Sequence, residues 1–131
     1  MSTPSTSAPK PQLTLFVTFH IDPTRTEEFK AAHRPVWAAC AAEPECLLFD
    51  VFRDQDADRP GRFRFVEVWA ATRAWFEAVQ LTKPYYAALW PRSRPTWERE
   101  VEIEYFERVG EGFAFREGIY LGDTETKTYS P

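Results

Sequence analysis

Residues 46–69 read CLLFDVFRDQDADRPGRFRFVEVW, two runs rich in apolar, aromatic and β-branched residues on either side of an aspartate-rich segment that ends in Pro60-Gly61. The first run, 46–54, shows little alternation, whereas the second, 62–69, alternates more clearly. Both patterns predict strands, and the turn-forming residues between them predict that the two strands pair directly as a hairpin.

Working outward, Glu43-Pro44-Glu45 is a turn, and upstream of it Phe29, Ala32, Val36 and Cys40 recur at helical spacing. Thr24 followed by Glu27 has the form of a capping box, so the spacing predicts a helix from there to about Ala42, with a kink or a break at Pro35. Before it, LTLFVTFHI (13–21) is apolar or β-branched at nearly every position, as in a strand covered on both faces, and Asp22-Pro23 ends it. Downstream of the hairpin, Thr72 can cap a second helix over roughly 73–80. A short helical piece through Tyr85, Tyr86, Leu89 and Trp90 follows Pro84, and Pro91 is expected to break it. A fourth strand is expected over about 98–108, where VEIEYFERV largely alternates apolar and charged residues.

The order β-α-β-β-α-β is that of an α+β, ferredoxin-like fold, a four-stranded antiparallel sheet with helices on one face. Strands that read as buried on both sides leave one sheet face to cover, and a second copy of the same sheet is the simplest cover; a homodimer is expected. Residues 1–12, mostly Ser, Thr, Pro and Ala, are expected to be a disordered tail, 13–108 the domain, and 109–131 an extension able to act as a dimer arm.

Composition limits function. The chain has 131 residues, 44% apolar and 16% aromatic, enough for one domain with a real core. Sixteen basic residues against 20 acidic give a net charge of −4, the wrong sign for a nucleic-acid partner. No basic amphipathic stretch and no long apolar run suggests a membrane, and the first residues lack the apolar block of a signal peptide, so a cytoplasmic protein is expected. Cys40 and Cys46 read as two small buried hydrophobes rather than a disulfide.

The element order together with EPECLLFDVFRD, RFVEVW and QLTKPYY resembles the antibiotic biosynthesis monooxygenase family, of fungal type, over about residues 13–108. Members commonly carry a Glu-Pro-Gly-Cys turn, here Glu43-Pro44-Glu45-Cys46 with Glu45 replacing the glycine, and a Glu-x-Trp, here Glu67-Val68-Trp69. The resemblance implies a dimeric α+β barrel with a small-molecule cavity in each subunit. It also implies several chemistries: cofactor-independent oxygenation of polyketide-like hydroxyaromatics such as anthrones, haem degradation, and non-oxidative cyclisation, decarboxylation or cleavage. The haem-degrading branch uses an asparagine, which this chain lacks altogether. Many members place a histidine after the second helix where this chain has Tyr85, which implies a phenol as acid or hydrogen-bond donor there.

Two histidines are available. His33, four residues after Phe29, points toward the sheet and is either a core histidine or the base of the cavity; His20, near the end of the first strand, can face either side. Tyr85 is expected to reach the cavity in preference to Tyr86, with Gln80, Tyr86 and Trp90 giving aromatic walls with polar tips, and Trp37, Trp69 and Trp75 either core or substrate-binding walls. A metal set of His20, His33 and Asp50 or Glu67 has no ligand spacing behind it, and Glu67 is expected to pair with Arg53 or Arg64. Nucleotide, zinc and serine-elbow motifs are absent, so no cofactor is expected. The expected reaction is oxygenation of a hydroxyaromatic substrate, with a non-oxidative enzyme or a non-catalytic binding dimer on the same scaffold as alternatives.

Overall fold

The computed structural model describes residues 11–109. Expectations for residues 1–10 and for the extension beyond 109 lie outside the described residues. The elements are β1 (Leu13–His20), α1 (Thr26–Ala42), β2 (Cys46–Arg53), β3 (Arg62–Trp69), α2 (Arg73–Ala78), α3 (Pro84–Ser93) and β4 (Glu102–Phe106), with single 3-10 turns at Pro23–Arg25, Gln80–Thr82 and Arg94–Thr96. The sheet is antiparallel throughout, in the order β2-β3-β1-β4. The ferredoxin-like reading therefore holds.

Register separates the two faces. Leu15 lies between Glu67 of β3 and Tyr105 of β4, and Phe49 of β2 is opposite Glu67. Odd-numbered residues of the strands thus face the helices, where Leu15, Phe19, Phe63, Phe65 and Trp69 are at most 4% exposed. Phe29, Ala32, Val36 and Cys40 of α1, Phe76 of α2 and Leu89 of α3 close over them. Even-numbered residues form an open face, with Phe52 and Phe106 half exposed and Phe16 in edge contact with Phe106 at 5.3 Å. That face is mixed, since Arg64 lies over the Phe16 ring and reaches Glu104.

Gly61 ends the hairpin loop for a steric reason. Its carbonyl accepts from Ile21 N–H at 2.8 Å, and a Cβ would sit 1.8 Å from the Ile21 oxygen. Asp54 orders the same loop by accepting from Asp56 N–H, Arg59 and Arg62, and these bonds hold its carboxyl well below the usual range.

Several local expectations need correction. The Thr24–Glu27 box does not form, because Asp22 takes both the Thr24 N–H (2.9 Å) and its hydroxyl (2.8 Å), while Glu27 pairs with Lys30. Neither Pro35 nor Pro91 breaks its helix; α1 and α3 run through them. Each proline leaves one carbonyl four residues earlier, at Ala31 or Ala87, without its helical donor, and both of those residues are exposed, so solvent can replace it. β4 is shorter than the alternation implied, because Trp97 and Glu98 are tied instead to the end of β1 by the Ile21–Trp97 bridge and by Glu98 N–H to the His20 carbonyl. Thr72 does cap α2, accepting from Trp75 N–H at 3.0 Å, and both cysteines are buried without a disulfide.

Candidate functional site

Between the helix face of the sheet and the helices is a cavity of about 60 Å³, roughly the room of two water molecules. Its walls are apolar, with Phe19, Phe65, Phe76, Trp37, Leu89 and Trp90 among them, and the polar side chains reaching it include His33, Cys40, Glu67 and Tyr86. Among the described residues no lysine or arginine lines it.

Glu67 is placed by strand alternation: it shares the core face of β3 with Phe63, Phe65 and Trp69. The residue is 6% exposed, and the Trp69 indole N–H donates to Oε1 at 3.0 Å. Burial raises its pKa to about 7, against the opposing pull of the indole bond. The arginines expected beside it are elsewhere. Arg64 is on the open face, and Arg53 stands opposite Phe63 at the far end of the hairpin.

His33, 1% exposed, is packed among Phe29, Phe19, Trp37 and Phe65. Its Nε2 lies 2.7 Å from Ser93 Oγ, which also accepts from Trp97 Nε1–H at 2.8 Å. An indole can only donate, so Ser93 Oγ is its acceptor, while the direction of the bond between Oγ and Nε2 is set by the His33 tautomer. Burial lowers the pKa to about 3, so the imidazole is neutral.

The two tyrosines exchange the places expected of them. Tyr86 lines the cavity, stacked on Trp90 and 3.3 Å from Cys40 Sγ, while Tyr85 is not among its lining residues. Tyr85 accepts from Gln80 Nε2 at 2.7 Å and donates to Glu43 Oε2 at 2.8 Å, and Lys83 Nζ reaches the other Glu43 oxygen. Two successive helical residues diverge by about 100°, and it is the second that points inward here. Gln80 is fully buried behind the cavity wall, where it also donates to the Tyr86 hydroxyl at 3.1 Å. Burial raises the pKa of both phenols and takes the Cys40 thiol up to about 11, so all three stay protonated near neutrality.

Of the remaining candidates, Trp37 and Trp90 line the cavity, and the Trp37 indole N–H is buried without a hydrogen-bond partner among the described residues. Trp69 and Trp75 pack against each other at 6.4 Å outside the lining. His20 is on the open face, where Nε2 pairs with Glu102 at 2.8 Å, and is therefore separated from the cavity by the sheet. The histidines lie on opposite faces, so the metal set does not assemble; among the described residues no group of three or more His, Cys, Asp or Glu could hold a metal ion.

The sequence profile of the family described as "Antibiotic biosynthesis monooxygenase" matches residues 13–88, more than half of the chain. This chain belongs to the antibiotic biosynthesis monooxygenase family. A relative from Pestalotiopsis microspora, named "Putative monooxygenase GME11364", is 31% identical over 101 residues, covering 77% of this chain and 82% of its own. A crystal structure described as an antibiotic biosynthesis monooxygenase superposes with a TM-score of 0.66 at 24% identity, over 74% of this chain and 98% of that one. A second, from Nitrosomonas europaea, gives 0.66 at 21% identity over 76% and 92%. At these identities the two structures bear on fold alone. Within this family member, the Glu-x-Trp segment is a physical unit in which the indole of Trp69 holds the carboxylate of Glu67. Its position was legible in the alternation of RFRFVEVW, but a charged residue among core aromatics reads more readily as half of a surface ion pair.

Among the described residues no helix is long and apolar enough to cross a membrane.

Proposed function

We propose that the protein is a cofactor-independent monooxygenase of a hydroxyaromatic, anthrone-like polyketide intermediate, working as a homodimer. The observation that carries this reading is the cavity itself, a ring-lined chamber in which a few ionisable groups face apolar walls. Flat aromatic guests suit such walls, and a guest carbonyl or phenol oxygen suits the unpartnered Trp37 indole N–H. In the reaction, a C–H bond of the activated methylene breaks, its proton passes to a base, and the carbon keeps the electron pair. That carbanion transfers electrons to dioxygen, the new C–O bond forms, and loss of water leaves a carbonyl, with dioxygen as the oxidant.

A tricyclic guest is far larger than the 60 Å³ of clear space, so binding requires the wall to yield. Ile103, the most exposed lining residue, and Trp37, Phe49, Leu81 and Trp90, all partly buried, are the parts of the wall with least packing to lose. The homodimer covers the open face of the sheet, where Phe16, Phe52 and Phe106 would leave solvent. The test of function is oxidation of anthrones by the purified protein, with Trp37→Phe raising KM by removing the unpartnered indole donor. Turnover of no hydroxyaromatic in air would overturn the proposal.

A further inference from the structure

The proposed oxygenation needs a proton acceptor at the cavity, and the residue expected for it, His33, is poorly placed. Its Nε2 is engaged by Ser93, which Trp97 holds in turn. Cys40 and Tyr86 are bonded to each other and protonated. Trp37 and Trp90 can only donate. Glu67 remains. From the floor of the cavity it meets Leu15 and Phe49 across the strands, and its one hydrogen bond among the described residues is that from Trp69 to Oε1.

We infer that Glu67 is the catalytic base of this cavity, taking a proton from a neutral hydroxyaromatic guest, with Trp69 as the positioning residue that orients the carboxylate through its indole N–H. In that step the guest's acidic C–H or O–H bond breaks, the proton joins a Glu67 oxygen to give the carboxylic acid, and the electron pair stays on the guest. The inference rests on the hydroxyaromatic reading above and deepens it. It also narrows the guest: among the described residues no lysine or arginine lines the cavity, so a substrate carboxylate would enter beside the Glu67 charge with no counter-ion from them. The titratable groups facing Glu67 are His33 and Cys40 from α1, Tyr86 from α3 and Tyr105 from β4. None of them is a cation near neutrality: His33 is neutral, and the pKa values of Cys40, Tyr86 and Tyr105 are all raised. The carboxylate therefore titrates under burial and the indole bond, at about 7, a value suited to a base working near neutral pH.

The experiment follows the Glu67 carboxyl carbon by NMR in protein labelled at the glutamate carboxyls, assigned by its loss in Glu67→Gln, with 1-naphthol as probe and a dihydroxyanthrone as substrate. The resonance is expected to titrate near 7 and to move when 1-naphthol binds. Trp69→Phe removes a bond that favours the ionised form, so the midpoint and the acidic limb of the kcat/KM profile should both move to higher pH. Glu67→Gln should lower kcat by a hundredfold or more while 1-naphthol binding changes only a few-fold. Naphthol bound without a response at Glu67, or Glu67→Gln with undiminished turnover, would overturn this inference alone. Naphthol that does not bind would overturn it together with the hydroxyaromatic reading. A Glu67 response in a protein that oxidises no anthrone would support proton acceptance and overturn the oxygenase.

Discussion

At the scale of single residues, the cavity couples two buried ionisable groups with opposite pH signatures. Glu67 has a folded pKa raised from its ordinary 4.5 to about 7, so its protonated form is the one the fold accommodates. Stability from this group is complete below about pH 4.5 and is lost as pH rises toward 7, by about 3 kcal/mol in all. Glu67→Gln should therefore unfold at higher urea than wild type near pH 9, with the difference vanishing near pH 4. His33 runs the other way. Its folded pKa is lowered from 6.5 to about 3, so stability is complete above about pH 6.5 and falls as acid protonates the unfolded chain, by about 5 kcal/mol by pH 3. His33→Leu should flatten that acid limb in urea titrations between about pH 6.5 and pH 3, despite losing the Ser93 bond. An acid limb unchanged by the substitution would show that the histidine is not the group responsible.

At the scale of elements, α3 is pinned by its first turn. The Gln80–Tyr85–Glu43–Lys83 chain of bonds ties the start of α3 to the end of α1, while Tyr86 on the next residue enters the cavity. Tyr85→Phe should cost about 1–3 kcal/mol of stability, from the two hydrogen bonds its hydroxyl makes with Gln80 and Glu43, and leave naphthol affinity unchanged; Tyr86→Phe should alter affinity. Calorimetry on both variants checks this, and equal effects on affinity would mean that the two phenols are not segregated. The same elements mark what sequence could reveal. Strand patterning and the aspartate-rich hairpin loop made the order β-α-β-β-α-β readable, because burial imposes periods of 2 and 3.6 on side chains. Which of two adjacent tyrosines faces inward depends on the phase of a ten-residue helix preceded by a 3-10 turn, and that phase has no local signature. His33 was legible as a core-facing position, but Ser93, sixty residues away, decides what its Nε2 does. The prolines misled because the cost of a missing helical bond depends on exposure, which is a tertiary property.

At the scale of the whole molecule, one sheet face is closed by helices and the other is left with Phe16, Phe52 and Phe106 beside Arg64, Glu102 and Glu104. A second copy placed on that face accounts for the apolar rings, and sedimentation should give twice the chain mass. Phe52→Asp with Phe106→Asp should yield monomers, and a wild-type monomer at all concentrations would refute the dimer. Whether the assembly is an oxygenase rests on one comparison: the purified, chelator-treated protein, given anthrones and other hydroxyaromatics in air and under nitrogen, with oxygen uptake and product followed together. The account predicts product in air only, formed mole for mole with the oxygen consumed. Equal product under nitrogen would contradict it and make the cavity that of a cyclase or lyase.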